Sequence, residues 1–166
     1  MLKLDDRDLK ILGILQREGR ISKAALAERV NLTPAPCWER LKRLEKAGII
    51  TGYRAEVALA KLTPHIAVFM AAELSGHRAE DFQRFERSVQ DIDEISGCWA
   101  VGGGFDYILQ IIARDIDTYQ RLVDRLLEMN VGLARYFTYI VTKPVKQPGP
   151  FPLGVLVNTD ETAQKE

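Results

Sequence analysis

NLTPAPCWERLKRLEKAGII, residues 31–50, carries the start, the face and the stop of one short helix. Thr33 is a good N-cap and Pro34 follows at the first helical position, where a missing N–H costs nothing. Pro36 falls at the third position, still among the four N–H groups without an intrahelical acceptor, so the Thr33 hydroxyl can cap only Ala35. Leu32 before the cap and Cys37 at the fourth position form a hydrophobic staple. Gly48 supplies the left-handed stop, with Ile49 beyond it as an apolar clasp. The spacing predicts a helix from Pro34 to about Ala47, burying Cys37, Leu41 and Leu44 on one stripe. Trp38, Glu39, Arg40, Lys42, Arg43 and Lys46 occupy the other faces. A short, mostly cationic helix of this kind suits the DNA major groove. The same pattern also fits an ordinary solvated amphipathic helix.

Working outward towards the N-terminus, Asp5 can cap a helix over Asp6–Glu18, with Asp6 and Asp8 near its positive end. Leu4, Leu9, Ile11, Leu12 and Leu15 supply its apolar side, and Gly19 ends it. Ser22 caps a second helix, Lys23–Val30, with Ile21 and Leu26 as its staple. Asn31 can close it in the left-handed conformation. Three helices, the last two joined by a tight turn, make a tri-helical unit over residues 1–50. Beyond it ITGYRAEVAL reads as extended, with Thr51, Tyr53 and Val57 as strand formers. Residues 51–63 are therefore expected to be a wing or linker strand, ending at Thr63-Pro64.

From His65 the rhythm changes. Ile66, Val68, Met70, Ala72 and Leu74 alternate with Ala67, Phe69 and Ala71, so both faces of a strand are apolar. Residues 78–89 are helical, with Phe82, Phe85 and Val89 on one side. Strands at 94–102 and 105–113 flank a turn of Gly102, Gly103 and Gly104. Residues 116–128 are helical, with Ile116, Tyr119, Val123, Leu126 and Leu127 towards a core, and 133–143 is the last strand. The order βαββαβ over residues 64–146 predicts a ferredoxin-like sheet with both helices on one face. The chain is thus α+β. Its other sheet face is expected to be covered by a second copy, making a homodimer. Residues 147–166 read as a tail in which Phe151, Leu153, Val155 and Leu156 can pack on a neighbour, and everything after Asn158 reads as disordered.

Of the 166 residues, 23 are Lys or Arg and 23 Asp or Glu, but the balance is uneven. Residues 1–60 hold 12 basic against 8 acidic residues and the remainder 11 against 15, a net +4 and −4. That split points to a polyanion partner for the first part only. Two distant cysteines, Cys37 and Cys98, argue against a disulfide framework and for the cytoplasm. No signal peptide and no membrane span are expected. His65 and His77 lack metal-ligand spacing, no nucleophile–base pairing stands out, and neither a cofactor nor enzymatic activity is expected.

Two segments then carry a resemblance. LAERVNLTPAPCWERLKRLEKAGIITGY is similar to the L-x-P-x-P-C-x-x-R-x-x-x-L-E-x-x-G-x-I-x-G-Y pattern of the Lrp/AsnC transcription regulators. VGGGFDYILQI and VGLARYFTYIVTKPVK resemble that family's V-x-G-x-x-D-Y and G-V-x-x-x-x-T-Y-x-V-x-x-x-V-K. The resemblance covers residues 2–146. It implies a winged helix-turn-helix ahead of a ligand-sensing domain of ferredoxin-like fold, dimers that assemble further to octamers, and an amino-acid effector. Gly102 and Gly104 depart from the small polar and acidic residues usual there, leaving the loop with fewer side chains.

For double-stranded DNA the candidates nearest the base edges are Thr33, Ala35, Trp38, Glu39 and Lys42. Arg40, Arg43 and Lys46 suit phosphates or internal ion pairs, and Arg40 can equally brace the domain through a carboxylate. Lys42 and Arg43 are both expected to stand clear of the core, removable without harm to the fold. Ser22 and Lys23 open the second helix, where N–H groups can meet a phosphate, and Arg20 and Arg54 flank it. For a small amino-acid effector the loop Gly102, Gly103, Gly104, Phe105 and Asp106 offers N–H groups to a carboxylate and an acid to an ammonium. A plain hairpin turn, with Asp106 capping it, explains the same residues. By resemblance, Ala100, Ile116, Thr138, Tyr139 and Ile140 also fall near the family's pocket. Two functions remain open at this point. One is a DNA-binding regulator that senses a metabolite. The other is a metabolite-binding assembly module or small enzyme whose N-terminal helices only mediate association.

Overall fold

Each of the first three helices begins where a capping residue lies. Asp5 and Asp8 form a reciprocal capping box: the Asp8 N–H donates to Asp5 (2.9 Å) and the Asp5 N–H to Asp8 (3.1 Å), opening α1 over Asp6–Leu15. The helix stops before the expected Glu18, because the chain tightens and the N–H groups of Arg17 and Glu18 both turn back to the Ile14 carbonyl. Ser22 accepts from the Ala25 N–H at 3.2 Å and opens α2, Lys23–Arg29. The third helix, α3, spans Pro34–Lys46. Thr33 is its cap by backbone conformation only. Its hydroxyl makes no capping bond to Ala35, contrary to expectation, and Pro36 removes the third-position N–H that such a hydroxyl usually meets.

Both helix exits in this unit follow one pattern. Val30 caps α2 and Asn31 takes φ +53°. The Asn31 N–H returns to Glu28 and that of Leu32 to Ala27. After α3, Gly48 takes φ +69°, and the N–H groups of Gly48 and Ile49 return to Glu45 and Leu44. These paired bonds define Schellman exits that satisfy the last carbonyls of each helix. Ile11, Leu12, Leu26, Ala27, Val30, Cys37, Leu41 and Leu44 form the core between the three helices.

The computed structural model describes residues 2–157. The chain divides into two units, one built from the segment up to Glu56 together with that from Lys146, the other from Val57–Val145. The late return of the chain places part of the tail, expected to pack on a neighbour, against its own N-terminal unit. The Phe151 N–H donates to Gln16 at 2.7 Å, Leu153 packs partly on the N-terminal core, and Leu153–Val157 forms a short helix, α6. Phe151 and Val155 remain exposed. The disorder expected after Asn158 falls outside the described residues. The expected wing or linker strand is also corrected. Residues 51–58 are exposed and pair with no strand, and a single 3-10 turn follows at Leu59–Lys61. Strand formers such as Thr51, Tyr53 and Val57 make a strand only where a ladder partner exists, and among the described residues none lies beside them.

In the second unit the elements run β1 (Ile66–Leu74), α4 (Ala79–Gln90), β2 (Ile95–Ala100), β3 (Tyr107–Ala113), α5 (Ile116–Glu128) and β4 (Leu133–Ile140). The sheet order is β2-β3-β1-β4, antiparallel throughout, which is the ferredoxin-like arrangement. Alternation along β1 works as read: Val68, Met70, Ala72 and Leu74 are buried with Leu109 and Ile111 of β3. Phe85 and Val89 of α4 and Tyr119, Leu122, Val123 and Leu126 of α5 close this core. Leu122 takes the place expected of Ile116 and Leu127, which lie 48% and 47% exposed because they point off the helix stripe that meets the sheet. On the opposite sheet face Phe69, Trp99, Phe137 and Tyr139 stand exposed.

The exits give the first prediction. Gly48→Ala forces a Cβ into the left-handed region and is expected to lower stability by about 1–2 kcal/mol. Asn31→Gly, which relieves the same strain, is expected to be neutral or slightly stabilising. Chemical denaturation of the full chain, followed by helix circular dichroism, compares them.

Candidate nucleic-acid interface and effector site

The face of α3 is set by one buried acid. Asp8 is fully buried, and its two carboxylate oxygens receive Arg40 at 2.9 Å and Arg43 at 2.6 Å. Arg40 also reaches Asp5 at 2.7 Å. The Asp5 carboxyl is held below its ordinary 3.8, first by the Asp8 N–H and then by Arg40, and the Arg40 guanidinium is raised in turn by Asp5 and Asp8. Arg40 is therefore a brace between α1 and α3. Arg43 is one too, which overturns the expectation that it could be removed without harm. Asp8 itself was missed as a brace: it read only as a charge near a helix start, and its partners lie 32 and 35 residues away.

With Arg40 and Arg43 engaged on Asp8, Arg43 still about half exposed, α3 presents Thr33, Ala35, Glu39, Lys42 and Lys46 to solvent. Ser22 and Lys23 are exposed at the start of α2, Arg20 is exposed between α1 and α2, and Arg54 is exposed after α3. Trp38 is half-buried and packs partly on the core, with the Lys23 ammonium 3.3 Å and the Lys42 ammonium 5.1 Å from its ring centroid. Cys37 is a buried apolar filler whose thiol is pushed up by burial. Tyr53 donates to Glu45 at 2.9 Å, which draws the exposed segment after α3 back to that helix.

In the second unit Gly102, Gly103 and Gly104 form an exposed tip between β2 and β3, and Gly103, at φ +145°, requires glycine. Asp106 is mostly engaged. It accepts from the Leu74 N–H at 2.7 Å, and its other oxygen faces the His77 ring at 3.4 Å. The side chain thus ties to the end of β1, where the expected cap on the glycine turn itself would have bonded within the turn, and His77 beside it is a neighbour that sequence spacing did not signal. Phe105 stacks edge-on against Phe137, with centroids 5.3 Å apart.

The remaining effector candidates do not gather at this tip. Ala100 lies close by, at the end of β2 opposite Tyr107. The Asp106 N–H meets β1 at Ala72, whereas Ile140 pairs with Val68, four residues and about 13 Å along the strand. Thr138 shares a 2.6 Å bond with the Tyr119 hydroxyl, below the sheet. Tyr139 pairs with Phe69 on the opposite face, and Ile116 opens α5 at the end of the sheet away from the tip.

Two family models match these two units. The winged helix-turn-helix DNA-binding model matches residues 4–51, and the Lrp/AsnC ligand binding domain matches residues 67–151. The chain belongs to the Lrp/AsnC family. Its relatives include the transcriptional regulatory protein DoeX of Halomonas elongata, 55% identical over 89% of this chain and 93% of that one. The leucine-responsive regulatory protein of Escherichia coli is 39% identical over 87% and 88%. Among solved structures, a transcriptional regulator of Neisseria meningitidis in complex with L-Met aligns with TM-score 0.86 and 32% identity, over 93% of this chain and all of that one. An AsnC family regulator of Agrobacterium tumefaciens aligns with the same TM-score, 27% identity and the same coverage. Like these Lrp/AsnC relatives, the chain pairs an N-terminal DNA-binding unit with a C-terminal four-stranded sheet unit.

The ion-pair hub generates two predictions. Arg43→Ala leaves one oxygen of a buried carboxylate short of its charged donor while Arg40 and the Asp5 N–H still answer it, and is expected to cost about 1–3 kcal/mol. Lys42→Ala should leave stability within about 0.5 kcal/mol. Thermal unfolding of the two single variants separates them. For Asp5, a depressed folded value means a contribution that is full above 3.8 and is lost as pH falls through the value below it. The stability gap between wild type and Asp5→Asn should therefore be constant from neutral pH down to about 4 and narrow below that, as read by denaturant midpoints across the acid range.

Proposed function

We propose that the chain is a sequence-specific, double-stranded-DNA-binding transcription regulator whose binding or assembly is modulated by a small amino acid. The observation that carries the first half is the division of charges on α3. Arg40 and Arg43 are consumed in holding the helix to Asp8, while Thr33, Ala35, Glu39 and Lys42 are exposed along its first turns beside Lys23. Residues at the start of a recognition helix read base edges, and the exposed lysines meet phosphates. Arg20, Arg54 and Lys46 extend the cationic border. Affinity for any duplex should then fall steeply with salt, which a merely assembling helical unit would not show.

The ligand class is a free amino acid, by analogy with the Neisseria regulator solved with L-Met. The glycine tip offers N–H groups to its carboxylate and Asp106 offers charge to its ammonium. Ile116, Tyr139 and Ile140 lie away from that tip within one chain. A single pocket using both groups is therefore completed by a second copy. Stacking the exposed Phe69, Trp99, Phe137 and Tyr139 face against the same face of another chain gives a dimer, with octamers as the further assembly. The setting is the cytoplasm, where the chromosome and free amino acids are both available.

The test uses Asp106 twice. Asp106→Asn keeps an oxygen for the Leu74 N–H and loses the charge, whereas Asp106→Ala loses both. With an amino-acid panel in calorimetric titration, Asp106→Asn is expected to retain wild-type stability and lose about tenfold or more in affinity, since a charge-assisted contact is worth about 1.5–3 kcal/mol. Asp106→Ala should in addition melt earlier. Equal binding by wild type and Asp106→Asn places the ammonium elsewhere, and a wild type that binds no amino acid at millimolar concentration removes that ligand class. Light scattering showing a monomer at micromolar concentration removes the sheet-to-sheet dimer.

A further inference from the structure

Trp38 has the wrong surroundings for reading a base. Its ring is half-buried against the N-terminal core, and the Lys23 ammonium sits 3.3 Å from the ring centroid, where a base or a thymine methyl would have to stack. Lys42, one turn further along α3, brings a second ammonium to 5.1 Å. The two lysines come from different helices: Lys23 is the first residue of α2, behind the Ser22 cap, and Lys42 belongs to α3. An indole face attracts cations through its quadrupole without neutralising them. A carboxylate in the same place would consume the charge, as Glu18 does for Arg29 at 2.5 Å and Asp8 does for Arg40 and Arg43.

On the DNA-binding reading above, we propose that Trp38 is a positioning residue that holds the ammonium groups of Lys23 and Lys42 together as one phosphate clamp. A lysine on open surface gives up rotamer freedom when it meets a phosphate. For each such side chain that ordering lowers affinity by a factor of about two to ten. The ring orders both lysines before DNA arrives without taking up their charge. Because the clamp spans α2 and α3, it also fixes where the backbone crosses the turn between them. Phosphate contacts are independent of sequence, so the effect of Trp38 belongs to all duplexes alike.

The experiment is a mutant cycle on the full chain, read by fluorescence anisotropy with a random-sequence duplex and with a duplex from the gene's own upstream region. Trp38→Leu is expected to weaken both duplexes by about five- to twentyfold while keeping the wild-type salt slope, because the lysines still reach phosphates. Trp38→Phe, which keeps a π face, should recover most of the loss. Lys23→Ala with Lys42→Ala should lower the salt slope by about two. In that background Trp38→Leu should cost no more than about another twofold. Thermal unfolding controls for lost packing, and Trp38→Met replaces the Leu variant if the latter melts early. A full Trp38 effect persisting without the two lysines overturns the proposal, as does a loss confined to the upstream duplex. A wild type that binds neither duplex at low salt overturns the DNA-binding reading, and this proposal with it.

Discussion

Asp8 is the residue on which the N-terminal unit depends. A fully buried carboxylate is tolerable only when its charge and lone pairs are answered, and here two guanidinium groups and the Asp5 N–H answer them. The consequence is geometric more than energetic. Arg40 and Arg43 are three apart on α3, so gripping both from one point on α1 fixes the rotation of α3 about its own axis. Apolar contacts through Cys37, Leu41 and Leu44 are non-directional and would tolerate a few degrees of roll. The ion pairs would not, and it is that rotation which decides which side chains of α3 stand outward.

The second unit is held by more ordinary means. Strand alternation sends Val68, Met70, Ala72 and Leu74 towards two amphipathic helices and leaves Phe69 and its neighbours on the other face. The Leu74 N–H reaches Asp106, and the Asp106 N–H reaches the Ala72 carbonyl. The hairpin between β2 and β3 is therefore tied to the end of β1 through both the side chain and the backbone of one residue.

Local signals were legible in the sequence and distant ones were not. The caps Asp5 and Ser22, the left-handed exits Asn31 and Gly48, and the period-two run from Ile66 each depend on residues within five positions, and each places an element within a few residues of its observed ends. The Asp8 hub, the Tyr119–Thr138 bond and the His77–Asp106 approach join residues far apart in the chain or across a turn, and no local pattern announces them. The strand expected around Tyr53 failed for a related reason: propensity describes a residue, whereas a ladder needs a partner. At the candidate DNA face residue type was readable but orientation was not. Arg40, Arg43, Lys42 and Lys46 look alike in a sequence, and only their partners separate braces from exposed cations. Ile116 and Leu127 show the same limit, since apolar residues at both edges of the α5 stripe look alike in a sequence and only packing shows that Leu122 is inside and they are not.

That separation changes the meaning of the basic N-terminal third. Its excess of four positive charges is a sum over residues that do not share a role. Arg29, Arg40 and Arg43 are matched by Glu18, Asp5 and Asp8, the first pair on the open surface and the other two beside the buried Asp8. The excess is thereby carried mostly by exposed groups such as Lys23, Lys42, Lys46, Arg20 and Arg54. On α3 the guanidinium groups of Arg40 and Arg43 take the two oxygens of Asp8, one each, in a fixed geometry. The ammonium groups of Lys42 and Lys46 on the same helix, which bind as point charges without a preferred plane, stay where a phosphate can approach from several directions. A helix that needs a fixed rotation and also a tolerant electrostatic border obtains the two from different residue types at neighbouring positions, Arg43 beside Lys42.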